Sequence, residues 1–383
     1  MLATARAFAL IVGSGLSALG VMRSLGRAGI PFYNVNAQRN YVASSRWYRP
    51  SPWGDLEDDQ PLADALAQLP VARAVLFTTS DDRVREASML DATLAARFPA
   101  SIACAATIDA LLDKLAFARL LVAHDVPHPR TFESDALDRV PDELFASCFL
   151  KPRHSLEFNR RYKTKGVRVA SRDEARERMR EIRAEGFDVL LQEYIPGGAG
   201  DHYFLDGFID RHGTVCGRFA RRRIRMYPAH FGNSSSMISI ALAELGSAIA
   251  DVERLLAAIG YRGIFSAELK RDARDGIFKL LEVNCRPWWF NGFAADCGVD
   301  VTRMAYDDAL ERPVARVTSY REGARLVSTF NDLRACRGEG LLRAMRFWLG
   351  ARDAMFSPDD PLPFLHHAAE QSARIGRGWL RRA

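Results

Sequence analysis

The chain lacks most of the features that assign a protein quickly. None of its 383 residues lie in an apolar run near the ~20 residues that a membrane span needs. The apolar stretch 7–12 feeds a glycine turn with no small-residue cleavage site, so it reads as a first β-strand and not as a secretory leader. The cysteines at 104, 148, 216, 285, 297 and 336 are scattered, with no C-x-x-C pair. That excludes a disulfide framework or a zinc ribbon and leaves buried thiols in a reducing compartment, so the cytoplasm is the expected location. Repeats and low-complexity tracts are missing. So are the P-loop G-x-x-x-x-G-K-[ST] and the H-R-D and D-F-G pair of protein kinases. The formal charge of +6 is mild. It suits an anionic small substrate as well as a nucleic acid and does not decide between them.

What is present points to an α/β protein of two or three domains. Residues 6–36 read strand, glycine turn, helix (17–28) and strand (31–35), a βαβ opening. Gly13, Gly15 and Ala18 match a relaxed dinucleotide fingerprint. The second strand, however, ends in Asn34, Val35 and Asn36, where that fingerprint wants an acid, so a structural turn is the better reading. A third strand at 74–78 runs into Ser80, Asp81 and Asp82 and a helix at 83–96; a short strand at 101–104 closes the unit near 106. Further on come a helix at 107–125 carrying Lys114, a strand at 148–151, and a basic loop holding Arg153, His154, Lys163 and Lys165. A charged helix at 172–185 and strands at 189–194, 202–209 and 214–221 follow. A glycine–serine loop at 232–236 and a helix at 243–259 complete this part. Beyond about 318 the chain turns Arg-rich and helix-like, with Trp348, Trp379 and Leu380 available to dock one apolar face and Arg381 and Arg382 as a solvated end.

Residues 262–292 carry the chemistry. Two period-two runs flank Arg274, Asp275 and Gly276, which predicts a β-hairpin with a three-residue loop and Gly276 left-handed. In that register Glu268 faces Glu282, with Asn284 two residues on along the same face. Opposed carboxylates repel unless a cation lies between them. Two carboxylates and an amide oxygen are hard donors of the kind Mg²⁺ takes, its other positions going to water and phosphate. A solvated hairpin whose acids pair with Lys270 and Arg286 is an equal reading of the hairpin alone. The arginines at 218, 221, 222 and 225 form a second cluster; on a strand Arg218 and Arg222 share one face and Arg221 the other. Arg218 and Arg222 are the expected grip on a phosphate or an anionic substrate, with charge protection of a strand edge as the plain alternative.

The ordered set Asp113, Lys114; Phe149, Leu150, Lys151, Pro152; Lys165, Gly166, Val167; Gln192 to Gly197; Ala267, Glu268; and Leu281 to Pro287 resembles the ATP-grasp superfamily, and within it the carboxylate–amine ligases. The likeness runs over roughly 6–318. It implies an open βαβ domain at 1–106, a two-lobed α+β ATP-grasp domain at 107–318 (lid lobe about 125–190, metal-bearing lobe about 191–318) and a helical C-terminal appendage at 319–383. It also implies roles. Lys114 and Lys151 would contact ATP phosphates. Gln192, Glu193, Tyr194 and Ile195 would form the hinge that holds adenine, with Glu193 facing its amino group, and Asp201 would take the ribose hydroxyls. Glu268, Glu282 and Asn284 would hold Mg²⁺, and Arg286 would steady the acyl phosphate. Arginine forks suit planar oxyanions and lysine suits a single phosphate oxygen. Two departures stand out. The lid segment 153–165 has no glycine, so Lys163 or Lys165 would replace backbone amides there, and Trp288 and Trp289 follow the final Arg286, Pro287. These tryptophans either wall an acceptor pocket suited to a flat or apolar group, or one of them packs beneath the sheet.

The expected function is an ATP-dependent, C–N bond-forming ligase using Mg-ATP and small carboxylate and amine substrates, with no nucleic-acid partner and homodimerisation left open. The alternatives are an ATP-grasp kinase or carboxylating enzyme, a non-catalytic nucleotide-binding scaffold and, more distantly, a nicotinamide oxidoreductase. No histidine has an evident role; His154 and His230 are the proton-acceptor candidates.

Overall fold

The computed structural model describes residues 7–35, 40–57, 59–229, 231–336 and 341–380. Asn36, His230, Arg381 and Arg382, and the side chains of Trp379 and Leu380, lie outside what is described. The strands are β1 Ala9–Val12, β2 Phe32–Asn34, β3 Val75–Thr78, β4 Thr131–Phe132, β5 Cys148–Pro152, β6 Val167–Arg168 and β7 Val189–Glu193, followed by β8 His202–Ile209, β9 Val215–Tyr227, β10 Asn233–Ser239, β11 Gly263–Arg271, β12 Phe278–Asn284, β13 Arg325–Val327 and β14 Arg352–Asp353. They make three sheets, ordered β2-β1-β3, β4-β7-β5-β6 and β12-β11-β8-β9-β10-β13-β14.

The first sheet is parallel, and its strands are short and apolar because both faces are covered. Leu10 and Val12 pack towards Leu62, Leu66 and Phe98. Ala9 and Ile11 pack towards the helices Gly15–Arg27 and Asn291–Cys297. Gly20 allows the second of these contacts, since a Cβ there would lie 2.3 Å from Asn291 Oδ1. The four-stranded sheet is antiparallel and packs on the helix Arg172–Ala184 through Leu150, Leu191, Ala175 and Met179.

The seven-stranded sheet is antiparallel except for β13–β14. One face, carrying Tyr203, Leu205, Ala220, Phe265, Ala267 and Leu269, buries against the helix Ala248–Ala258. The opposite face is divided. Phe208, Phe219 and Met237 pack on the N-terminal unit, while the rest is polar and looks towards the four-stranded sheet.

Several expected elements change form. The basic loop after β5 contains a helix, Ser155–Tyr162, because Phe158 is fully buried and stacks on Tyr162 with ring centroids 4.4 Å apart. The glycine–serine loop is strand β10, two of whose serines find buried partners: Ser234 Oγ accepts from Arg223, and Ser235 Oγ bonds Asp332. The helix at 107–125 is two, Ala105–Leu112 and Lys114–Ala123, with the Asp113 side chain capping the second. The helix at 83–96 is likewise two, Asp81–Ser88 and Ala92–Arg97, and the strand at 101–104 is a single bridge from Ile102 to Gly263. The C-terminal region is no mere helical appendage. It supplies β13 and β14 to the large sheet, and its Asp332 and Asp360, both fully buried, pair with Arg225 and Arg23.

Candidate active site

The hairpin places its acids through two departures that cancel. Asp272 N donates to Ile277 O, so the loop spans four residues, 273–276, with Gly276 at φ +72°. A bulge at Leu281 then shifts the register by one. As a result Glu268 stands opposite Glu282, and Ser266 opposite Asn284.

Glu268 is enclosed. His202 Nδ1 donates to its Oε1 at 2.8 Å and Arg223 Nη2 at 3.1 Å. Burial alone would raise this carboxyl, but the Arg223 charge and the His202 bond outweigh it and hold Glu268 ionised well below the usual range. Burial in turn lowers the His202 imidazole. Glu282 has Lys114 Nζ at 3.7 Å. From the facing sheet, Lys151 Nζ donates to Gln192 Oε1 at 2.9 Å, and Lys165 Nζ donates to Asn233 Oδ1 at 2.8 Å. Burial and the charge of Lys114 lower the Lys151 ammonium to about 8, against the pull of Glu282 and Glu268. Burial likewise lowers Lys270 to about 8; Asp201 opposes this shift, and the ammonium lies 4.4 Å from the Tyr194 ring centroid.

Two cavities meet at these groups. One, of about 130 Å³, has Phe149, Tyr194, Ile195 and Phe231 at its apolar end. The other, of about 310 Å³, is bounded by Asp81, Arg286, Asn284, Trp288, Trp289 and Phe290. Lys165, Arg223, Glu268 and Glu282 line both. Gln192 and Lys151 line only the first, and Lys114 only the second.

Of the residues expected from sequence, the structure therefore gathers Lys114, Lys151, Lys165, Gln192, Tyr194, Ile195, Glu268, Glu282, Asn284 and Arg286 around one pair of cavities. Two do not fit their expected parts. Arg218 and Arg222 lie on the sheet face turned away from Glu268: Arg218 pairs with Glu253 of the helix Ala248–Ala258, and Arg222 donates to Gly200 O at 2.6 Å beside the Tyr203 ring. Strand alternation gives the cavity face to Arg221 and Arg223 instead. Glu193 also lines the first cavity, with Arg130 and Arg274 on its carboxylate at 3.2 Å and 2.7 Å. Asp201 accepts from Gly198 N at 2.8 Å and has Arg271 at 3.6 Å. Arg223 and His202 were missed from sequence. The alternation that groups Arg223 with Arg221 was a usable signal for the first; nothing local marks the second.

No protein-family model matches the chain. A D-aspartate ligase of Enterococcus faecium (strain Aus0004) is 22% identical over 234 residues, a match spanning 54% of this chain and 52% of that ligase. The match thus covers about half the length of the relative. An N5-carboxyaminoimidazole synthetase from Staphylococcus aureus complexed with ADP superposes with a TM-score of 0.65 at 13% identity, over 83% of this chain and 80% of that one. The biotin carboxylase domain of Hydrogenobacter thermophilus 2-oxoglutarate carboxylase, solved with MgADP, ADP and bicarbonate, gives 0.64 at 15%, over 84% and 74%. The chain has an ATP-grasp fold. The four-stranded and seven-stranded sheets face each other across the first cavity. No helix among the described residues is long and apolar enough to cross a membrane.

Proposed function

We propose that this ATP-grasp protein is an ATP-dependent ligase that joins a carboxylate to an amine. The carrying observation is the shared wall of Lys165, Arg223, Glu268 and Glu282, which stands where an aromatic-lined cavity opens into a larger, arginine-lined one. A nucleotide in the first cavity would set its terminal phosphate at that wall, within reach of a substrate in the second. Phe149, Tyr194, Ile195 and Phe231 supply apolar surface for a base, and Lys151 and Lys165 supply charge for phosphates. The relative and the solved neighbours, by name a D-aspartate ligase and proteins bound to ADP, support the reading.

The donor set fits Mg²⁺. Glu268, Glu282 and Asn284 offer hard oxygens on one strand pair, and the set is open in the way that lets Mg²⁺ keep water and phosphate oxygens. When bound, the ion would offset the charge of the phosphates.

The reaction proceeds in two displacements. An oxygen of the substrate carboxylate attacks the γ-phosphorus, the bond to the β-phosphate oxygen breaks, and ADP leaves behind an acyl phosphate. The amine nitrogen then attacks the acyl carbon, phosphate departs, and the amide forms as the nitrogen gives up a proton. Arg286 and Lys165 would hold the oxyanions in line. The test is phosphate release that requires both an acid and an amine, with the product identified by mass. ADP formed with an acid or an alcohol alone, the phosphoryl group staying on that acceptor and no free phosphate appearing, would instead mark a kinase. A second reading, a carboxylating enzyme with bicarbonate as the acid, is favoured by the bicarbonate in the Hydrogenobacter structure; labelled bicarbonate appearing in the product would establish it.

A further inference from the structure

Trp288 and Trp289 are neighbours with opposite fates. Trp288 is 4% exposed and joins the core beneath the turn, whereas Trp289 is 47% exposed and lines the larger cavity. The charged groups around Trp289 are already engaged. Arg286 holds Asp81 at 2.7 Å, Arg221 holds Asp206 at 2.6 Å and Arg223 holds Glu268 at 3.1 Å. The Arg286–Asp81 pair is partly open to solvent, the Asp81 side chain being 44% exposed, whereas the other two are buried; the open apolar surface of that wall is the indole face. Its edge is supported by Phe290, with centroids 6.5 Å apart and planes at 76°. The turn itself is fixed: Asn291 Nδ2 donates to Trp288 O at 2.7 Å and to Ser17 O at 3.0 Å, locking it to the helix Gly15–Arg27. A rigid aromatic surface on a pinned turn is a preorganised contact of low entropic cost. There is also room for a single ring, since ligand clefts run from about 300 to 1,000 Å³ and this one has about 310 Å³.

We infer that the co-substrate occupying the larger cavity carries an aromatic or other flat unsaturated ring, and that Trp289 is the platform on which the ring lies. The inference rests on the ligase reading for the role of that molecule, and it departs from the compact, charged substrate in the relative's name. Trp289 acts here as a specificity residue; bond making stays at the wall formed by Glu268 and Glu282.

The test uses the full chain with Mg²⁺ and a non-hydrolysable ATP analogue, titrated by calorimetry with phenylalanine, tyrosine, benzoate and indole-3-acetate. Leucine, alanine, aspartate and acetate serve as aliphatic counterparts. The ring-bearing probes bind more tightly. Trp289→Ala weakens them about tenfold, in line with the worth of an aromatic pair, and leaves the aliphatic probes within about twofold. Trp289→Phe recovers most of the loss, which a merely structural role would not predict. Equal affinity for both sets, binding by none of them, or indifference to Trp289→Ala overturns the inference. Titration with the nucleotide analogue alone is read first. No binding there sinks the ligase reading and this inference with it, whereas nucleotide binding without ring preference overturns this inference only.

Discussion

Nucleotide binding should take up a proton in the alkaline range, and Lys151 is the group responsible. Burial and the nearby Lys114 charge bring its ammonium to about 8 from an ordinary 10.5. A polyphosphate against it would restore the charged form. If the bound lysine stays protonated, uptake is about 0.1 proton at pH 7, about 0.5 at pH 8 and about 0.9 at pH 9, and affinity falls about tenfold between pH 7 and 9. Lys270 sits as low, but against Tyr194 at the apolar end, so it is not counted. The assay is calorimetry of ADP with Mg²⁺ at pH 8 in buffers of different ionisation enthalpy, for the parent and for Lys151→Met. Comparing the two removes the ligand's own ionisation. A buffer dependence that is the same in both proteins, or an affinity flat from pH 7 to 9, refutes the reasoning. The same lysine acts on folding with the opposite pH trend. Its folded pKa lies below its unfolded one, so the penalty is complete below pH 8. It is relieved as pH rises from 8 towards 10.5, worth up to about 3 kcal/mol.

Glu282→Gln should leave the fold intact, since Glu282 is half-buried and its Lys114 contact is long, yet lower turnover by about 10² or more, read as ADP release per enzyme. Arg223→Ala leaves Glu268 largely buried and short of its main cation, and should cost about 3–5 kcal/mol in urea unfolding. Arg218→Ala, by contrast, removes a partly exposed pair with Glu253 and should change stability by about 1 kcal/mol or less, with nucleotide affinity unaltered by calorimetry. Asp332→Ala strips the partner from Arg225 and an acceptor from Trp348 Nε1 and Ser235, and should destabilise by about 3–5 kcal/mol in the same unfolding measurement.

The hairpin was legible because its chemistry repeats with the strand period and its turn residues are unambiguous. Its loop length was not legible. A three-residue loop without a bulge and a four-residue loop with one at Leu281 give the same partner for Glu268, so the patterning cannot separate them. The short helix Ser155–Tyr162 and strand β10 escape the sequence pattern for a different reason. In each, a polar local sequence is overruled by tertiary partners: Phe187 and Tyr162 around Phe158, and Arg223 and Asp332 beneath Ser234 and Ser235. The tail's place in the sheet leaves no local trace, because its buried acids pair with residues more than a hundred positions away.

The arginines of β9 show how far period-two reasoning carries and where it stops. It separates Arg221, Arg223 and Arg225 from Arg218 and Arg222, but which set meets the ligand depends on what covers each face. Here the helix Ala248–Ala258 covers the even face, so the odd arginines turn towards the cavities or the tail. Each then receives a carboxylate from a different element: Asp206 on β8, Glu268 on β11 and Asp332 on the helix Thr329–Ala335. Their surroundings differ. Arg225 lies under the tail, Arg221 borders the larger cavity, and Arg223 lines both cavities. Removing one member of any of the three pairs strands a buried charge. Only at Arg223 does the stranded partner, Glu268, also face the phosphate end of the proposed nucleotide. The stability cost should therefore be similar at Arg223 and Arg225, whereas the loss of Mg-nucleotide affinity should appear at Arg223 alone. Equal losses of affinity in Arg223→Ala and Arg225→Ala, measured on folded protein, would show that the cavities respond to the whole sheet and not to the wall they share.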